Sequence, residues 1–196
     1  MIIDKDGTMK TNINETITFD DLLLVPQYSE ILSRKTIDLS SELDMNRSFD
    51  LPIISSPMDT VTGVSMATTF GELGGLAVTH RYCDAVEQSK ITPFHSAAAI
   101  GVTGDFMERA TALLALGANV LCVDVAHGHH ILVKNALQSL RDEFGDDVHI
   151  MAGNVATLEG VNDLADWGAD SVRCNIGGGS ICSTRIQTGH GLPGLQ

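Results

Sequence analysis

From Leu51 onward, the chain alternates short apolar runs with polar or mixed stretches that are long enough to form helices. Apolar runs of strand length are typical of strands that are buried on both faces, as in a parallel sheet covered by helices. The pattern therefore predicts repeated βα units and an α/β fold. The predicted strands contain Ile53-Ile54, Leu76-Ala77-Val78, Ala98-Ala99-Ile100-Gly101-Val102, Val120-Leu121-Cys122-Val123, Val148-His149-Ile150-Met151 and Ser171-Val172.

Two glycines mark where predicted helices end. Gly117 and Gly168 each precede a new apolar run, where a helix can turn through the left-handed region before a strand begins. The count of strand–helix units reaches six before the last residue. The pattern alone leaves two architectures open, an open doubly wound sheet and a closed barrel.

The first fifty residues follow a different pattern. Residues 35–50 are mostly polar and predict an exposed strand or hairpin, whereas the apolar run Leu22-Leu23-Leu24-Val25 ends at a proline and is expected to pack on the domain surface. We therefore divide the chain into an N-terminal segment, residues 1–50, that packs on the sheet domain, and a sheet domain, residues 51–196.

Composition narrows the range of functions. With 43% hydrophobic residues in 196, the chain is expected to fold around a substantial core. The formal net charge of −13 disfavours binding to nucleic acid or to anionic membranes. No segment is typical of a signal peptide or a membrane helix, and the four cysteines form no Cys-x-x-Cys pair. A cytoplasmic protein with reduced thiols is the expectation.

A glycine-rich loop with a thiol follows the sixth predicted strand. Gly177-Gly178-Gly179 leaves the backbone without Cβ atoms, so that its amides and carbonyls can approach an ion or a ligand closely. Cys182 comes shortly afterwards, and the nearby Arg185 would favour its thiolate if the fold turns the guanidinium inward. Taken alone, the residues also allow a flexible loop with an incidental cysteine.

The loop and four other stretches resemble the inosine-monophosphate dehydrogenase and guanosine-monophosphate reductase family. They occur in the family's order and together cover nearly the whole chain. The matching stretches are Thr18-Phe19-Asp20-Asp21-Leu22-Leu23-Leu24-Val25-Pro26, Ser55-Ser56-Pro57-Met58-Asp59-Thr60-Val61-Thr62, Asp124-Val125-Ala126-His127-Gly128-His129, Ala152-Gly153-Asn154-Val155-Ala156-Thr157 and Gly177-Gly178-Gly179-Ser180-Ile181-Cys182-Ser183-Thr184-Arg185.

The resemblance implies a (β/α)8 barrel, of which this chain would supply about six strand–helix units. Only residues 81–96 lie between the second and third strands, which leaves no room for the CBS modules that many of the dehydrogenases insert there. The family's later phosphate loop and its mobile flap have no matching positions. We therefore expect a fragment, a truncated product, or one part of a barrel that another chain completes.

The resemblance also assigns catalytic roles. Cys182 would be the nucleophile that adds to C2 of the purine, and Thr184 would assist hydrolysis, although a loop-capping hydroxyl is the alternative for this threonine. Backbone carbonyls of Gly177, Gly179 and Cys182 would bind K+, because hard cations prefer oxygen ligands.

The other implied residues bind the two nucleotides. Ser55, Ser180 and Arg173 would contact the substrate, with a solvated loop serine as the alternative for both serines. Asp124 and Asn154 would line the cofactor site, since both follow strands at the end where barrel enzymes carry their chemistry. For Asp124 the competing interpretation is a cap on the next helix.

We interpret the sequence as an IMP dehydrogenase-like oxidoreductase that uses NAD to convert IMP to XMP in purine biosynthesis. Ser55-Ser56-Pro57-Met58-Asp59 and Ala126-His127-Gly128-His129 resemble the dehydrogenase versions of these motifs. Two alternatives stay open: a GMP reductase, which would use NADPH to deaminate GMP, and a truncated non-catalytic module that binds nucleotide or joins other subunits. By resemblance, a completed barrel is expected to form a homotetramer.

Overall fold

A computed structural model describes residues 2–3, 9–10, 18–90 and 97–195. The chain forms two compact units. The sheet unit consists of Ile31–Cys174, and the loop unit combines Met1–Glu30 with Asn175–Gln196. The division at residue 50 stays a prediction for the complete barrel.

Within the described residues, five parallel strands form the sheet, and each pairs with the next one along the chain. An isolated parallel bridge between Ile54 and Leu76 adds the first predicted strand at the edge of this sheet. The predicted parallel sheet is therefore confirmed. The strands of the sheet are β5 (Val78–Thr79), β6 (Ala97–Ile100), β7 (Val120–Asp124), β8 (His149–Val155) and β9 (Ser171–Cys174).

Helices connect these strands, so each pair of neighbouring strands is joined by a crossover. Two short helical turns of the 3-10 type, Phe19–Asp21 and Arg34–Thr36, precede them. The α-helices are α1 (Val64–Glu72), α2 (Ala85–Lys90), α3 (Phe106–Ala115), α4 (Ile131–Phe144), α5 (Leu158–Asp166) and α6 (Thr184–Thr188). Among the described helices, none combines the length and the apolar character needed to cross a membrane.

Antiparallel pairs lie in the N-terminal part of the chain. The strands β3 (Ser41–Asp44) and β4 (Arg47–Phe49) form a hairpin in the sheet unit, which confirms the hairpin predicted for residues 35–50. In the loop unit, β1 (Ile2–Ile3) pairs with β2 (Met9–Lys10). The apolar run Leu22-Leu23-Leu24-Val25, which was expected to pack on the domain surface, is exposed: the exposed fraction is 94% for Leu23 and 97% for Leu24. Its packing stays a prediction.

The sheet separates two apolar clusters. On the outer face, side chains such as Leu121 and Ile150 pack against α3, α4 and α5, whose buried residues include Leu113, Leu137 and Leu164. The inner-face cluster is smaller. It contains Phe49, Leu76, Val78, Ala97, Ala99, Val120, Cys122 and Met151.

Glycines end two of these helices as predicted. Gly117 has φ +105° and Gly168 has φ +109°. After α3 the amides of Gly117 and Ala118 donate to Leu114 and Leu113, which is the Schellman pattern, and the same pattern follows α5. This geometry satisfies the last carbonyls of each helix and turns the chain directly into the next strand.

The hairpin is bonded to the amino-terminal end of the sheet. His149 at the start of β8 is 2% exposed and bonds Asp44 through Nδ1 at 2.6 Å and the Ser171 hydroxyl through Nε2 at 2.8 Å. Arg47 pairs with the same aspartate and donates to the Asn119 carbonyl at 3.1 Å. This end of the sheet is therefore fixed by a partly buried polar network.

Candidate active site

A cavity of about 310 Å³ opens along the inner face of the sheet, between the Ile54 strand and β9. It brings together three residues that the sequence predicted to bind nucleotides, namely Ser55, Asn154 and Arg173. The cavity is lined by Leu43, Ile54, Ser55, Ser56, Met151, Asn154, Ser171, Val172, Arg173 and Cys174.

Asp124 and Arg173 form an ion pair at the carboxyl end of the sheet. Arg173 Nη1 lies 2.6 Å from Asp124 Oδ1, and both side chains are about one-fifth exposed. The same nitrogen lies 3.7 Å from the sulfur of Cys122. The capping role considered for Asp124 is excluded, because the residue that caps α4 is His130, whose ring accepts from the Leu132 amide. Asp124 is therefore held beside Arg173, which lines the cavity.

The pair depends on a glycine between the two strands. In the register of the sheet, Asp124 lies beside Gly153 and Gly153 lies beside Arg173. A Cβ at residue 153 would lie 2.6 Å from Arg173 Cβ and 2.7 Å from its carbonyl oxygen. Only glycine fits here, because contacts this short force the backbone of β9 to move.

Asn154 is held through its backbone. Its amide donates to the Val125 carbonyl at 3.0 Å, and its own carbonyl accepts from the Gly128 amide at 2.7 Å. The Gly153–Asn154 peptide bond is cis. The loop after β7, which resembles the dehydrogenase motif, is thereby joined to the end of β8.

Ser55 lines the cavity but is 7% exposed. Its hydroxyl accepts from the Val78 amide at 3.2 Å and is hydrogen-bonded to the Thr62 hydroxyl at 2.8 Å. Thr62 is itself fully buried and donates to the Ser56 carbonyl at 2.6 Å. Sequence reasoning gave Thr62 no role, although it closes the Ser55-to-Thr62 motif and fixes the first strand.

The cysteine loop belongs to the loop unit. The Cys182 amide donates to the Gly179 carbonyl at 3.0 Å, and α6 begins two residues after the thiol. Hydrogen bonds from the side chain and the backbone of Thr184 hold the pKa of Cys182 below its ordinary value; slight burial opposes this, and the positive charge of Arg185 adds to it. The thiol is thus favoured as a thiolate, which is its nucleophilic form.

Arg185 also contacts the turns of this loop. A Cβ at Gly177 would lie 2.6 Å from Arg185 Cγ, and one at Gly191 would lie 2.8 Å from the same atom. Gly177 has φ +81°. Close to the second contact, the Leu192 amide donates to the Ile176 carbonyl at 3.1 Å and closes the loop. The aliphatic stem of Arg185 therefore lies between two glycines.

Two other cysteines differ from Cys182. Burial raises the pKa of Cys122 to about 12, and burial together with the charge of Glu87 raises the pKa of Cys83. Neither is suited to act as a nucleophile at neutral pH.

The remaining predicted residues lie in the same loop. Ser180 is exposed, whereas Gly177 is buried. The carbonyl of Gly179 already accepts the Cys182 amide and keeps a second lone pair. The predicted site residues thus fall into two sets. Ser55, Asp124, Asn154 and Arg173 lie in the sheet unit, and Gly177, Gly179, Ser180, Cys182 and Thr184 lie in the loop unit.

The parallel sheet, with polar side chains at its carboxyl end and a cysteine loop after its last strand, defines an α/β protein of the TIM-barrel type. The chain belongs to the IMP dehydrogenase / GMP reductase domain family, whose model matches residues 16–196. The family predicted from the sequence is therefore confirmed.

Known relatives include both enzymes of the family. The chain is 33% identical to an inosine-5′-monophosphate dehydrogenase of Cryptosporidium parvum and 35% identical to a GMP reductase of Albidiferax ferrireducens, in each case over 93% of the chain. It spans 56% and 57% of their lengths. A crystal structure of inosine 5′-monophosphate dehydrogenase from Legionella pneumophila superposes with a TM-score of 0.85 at 42% identity, covering 91% of this chain and 56% of the other.

Proposed function

We propose that this chain carries the catalytic cysteine of an IMP dehydrogenase-like oxidoreductase that uses NAD to oxidise IMP to XMP. The observation that carries the proposal is the contrast among the thiols. The pKa of Cys182 is lowered by Thr184, whereas the pKa values of Cys83 and Cys122 are raised. The dehydrogenase relatives and the family match support the same activity.

In the proposed reaction the Cys182 thiolate adds to C2 of the purine and forms a carbon–sulfur bond. NAD, when bound, accepts the hydride that C2 loses. Water then forms a carbon–oxygen bond to C2 and gives up a proton, the carbon–sulfur bond breaks, and the thiolate leaves XMP with the new oxygen on C2. Thr184 contacts the sulfur through its hydroxyl and amide, so it supports the thiolate both as the attacking and as the leaving group.

The residues present fit both nucleotides. Arg173 donates to one carboxylate oxygen of Asp124, Oδ1, at 2.6 Å. The other oxygen of Asp124 accepts no hydrogen bond from the described residues, so it can accept one from a ribose hydroxyl. Asp124 and Asn154 would hold the cofactor, and Ser55, Ser180 and Arg173 the substrate. The carbonyls of Gly177, Gly179 and Cys182 would bind K+, which is consistent with the free lone pair on the Gly179 oxygen.

A GMP reductase is the second candidate, because the Albidiferax ferrireducens GMP reductase is as similar in sequence as the dehydrogenase relatives. It would use NADPH and release ammonia from GMP. A non-catalytic module that binds nucleotide or joins other subunits is the third candidate. For any of these we also propose a cytoplasmic location and, with a completed barrel, a homotetramer.

The first test is turnover with IMP, NAD and K+, followed through the near-ultraviolet absorbance of NADH. The Cys182→Ala variant is expected to abolish turnover, and Cys83→Ala is the matched control that should keep it. Consumption of NADPH with GMP would instead establish the reductase. If neither pair of substrates is turned over and an electrophilic purine nucleotide fails to label Cys182, the enzyme proposal is wrong and the module remains.

The acidity of the thiol gives a second test that needs no turnover. This test measures how the rate of Cys182 alkylation by iodoacetamide depends on pH. Because Thr184 stabilises the thiolate, the midpoint of this profile is expected below the ordinary thiol pKa, and Thr184→Val should move it upward and slow labelling at neutral pH. Thr184→Ser keeps the hydroxyl and should resemble the unmodified chain. Identical profiles for the valine and serine variants would contradict the role of Thr184.

A further inference from the structure

Arg81 lies at the carboxyl end of β5, two residues after the strand ends, and its guanidinium faces the end of the neighbouring strand β6. Its Nη1 is 3.5 Å and its Cζ is 3.8 Å from where a Cβ on Gly101 would be. The guanidinium also lies over the Tyr82 ring, 5.3 Å from the ring centroid. Gly101 and Tyr82 therefore hold a cation at the end of the sheet where barrel enzymes bind their ligands.

Within the described part of the chain, no acidic side chain forms an ion pair with Arg81. Its Nε is buried and has no hydrogen-bond partner there. Four other arginines, Arg47, Arg109, Arg141 and Arg173, each form an ion pair with an aspartate, but Arg81 forms none among the described residues. A buried donor without a partner costs about 1–3 kcal/mol, so this cation is available to a partner beyond the described residues.

The register of the sheet relates Arg81 to the rest of the site. Ile100 lies beside Val123, so Gly101 is level with Asp124, which is followed across the sheet by Gly153 and Arg173. Arg81 and Arg173 thus lie on opposite sides of Asp124 along one edge. Along the sheet, β5 and β9 are separated by four strand spacings of roughly 4.8 Å each. A ligand that contacts Arg81 as well as Asp124 therefore extends along this edge.

We propose that Arg81 binds a phosphate group of the dinucleotide cofactor. The inference rests on the proposed function, in which the substrate lies near the cysteine loop after β9 and the cofactor is held by Asp124. The far end of the same cofactor then extends toward β5. A guanidinium presents a planar fork that matches phosphate, and one well-placed arginine is needed because the net charge of −13 provides no general attraction.

The test measures binding by isothermal titration calorimetry, with NAD and IMP as separate ligands, for the unmodified chain, Arg81→Ala and Arg81→Lys. Arg34→Ala is the control, since it removes the same charge from an exposed position. Arg81→Ala is expected to weaken NAD binding at least about tenfold and to leave IMP binding within about twofold, because a charged hydrogen bond to phosphate is lost. Arg81→Lys should recover only part of the loss, since it lacks the fork.

The outcomes separate failure of this inference from failure of the proposed function. Equal NAD binding by Arg81→Ala and Arg34→Ala would overturn the inference alone, and so would a loss confined to IMP. If the unmodified chain binds neither NAD nor IMP, the proposed function fails. In that case inorganic pyrophosphate, followed by ³¹P line broadening, decides on the anion site: broadening that Arg81→Ala abolishes supports it, and unchanged broadening overturns it.

Discussion

The two ends of the parallel sheet use the same residue types in different ways. At the amino-terminal end, Asp44 is bonded by Arg47 and by His149, and His149 is also bonded by Ser171. At the carboxyl end, Asp124 and Arg173 form one pair beside a cavity, while Arg81 has no ion pair among the described residues. Saturated polar groups stabilise a fold, whereas unsaturated ones are available to a ligand.

The substitution with the largest expected effect is Gly153→Ala, which tests whether the carboxyl end tolerates any added volume. The new Cβ would lie 2.6 Å from Arg173 Cβ, so β9 must move. We expect a loss of about 3 kcal/mol in unfolding free energy, or about 6–12 °C in Tm, measured by thermal denaturation.

Gly63→Ala is the control for this change, because a Cβ there would meet no atom within 4 Å. It is expected to alter the unfolding free energy by less than about 0.5 kcal/mol. Similar Tm values for the two variants would show that β8 and β9 are not packed as closely as the structure has them.

Asp44→Asn tests the amino-terminal end and is expected to cost about 2 kcal/mol at pH 7, because charged hydrogen bonds to Arg47 and His149 are lost. Burial alone would raise the pKa of Asp44, but hydrogen bonds from Asn46, His149 and Arg47 lower it from 3.8 to about 2. The folded state therefore gains stability above pH 4 and loses it as the pH falls toward 2.

Urea denaturation between pH 2 and pH 7 measures this dependence. The Asp44→Asn variant should lack this contribution, and Glu42→Gln, an exposed neighbour on the same hairpin, should keep it. Neither change should affect nucleotide binding. If Asp44→Asn lost nucleotide binding without losing stability, the amino-terminal end would serve binding and not stability, contrary to the comparison.

The smallest expected effect on stability is that of Arg173→Lys at the carboxyl end. Lysine keeps the charge near Asp124 but loses the planar fork, so we expect IMP binding about tenfold weaker, or about 1.4 kcal/mol, with Tm nearly unchanged. Calorimetric titration with IMP measures the change, with Arg34→Lys as the control. A large fall in Tm with intact IMP binding would assign Arg173 to the fold instead of the site.

Periodicity and resemblance predicted the sheet, the glycine helix ends and the identity of the cysteine loop, because these depend on local sequence. The ion pair of Asp124 with Arg173 could not be predicted from spacing, since it forms across two strands that are 49 residues apart in sequence. The contact of Arg81 with Gly101 likewise depends on strand order. An arginine shortly after an apolar strand was the available signal.

The contacts of Arg185 have a consequence for motion of the cysteine loop. The groups that favour the thiolate, Thr184 and Arg185, lie within three residues of Cys182, and the stem of Arg185 is enclosed by Gly177 and Gly191 of the same loop. The Cys182 thiol and the two residues that lower its pKa therefore move together with the loop. If the loop changes position between the steps of a reaction cycle, Thr184 and Arg185 stay beside the thiol whose pKa they lower.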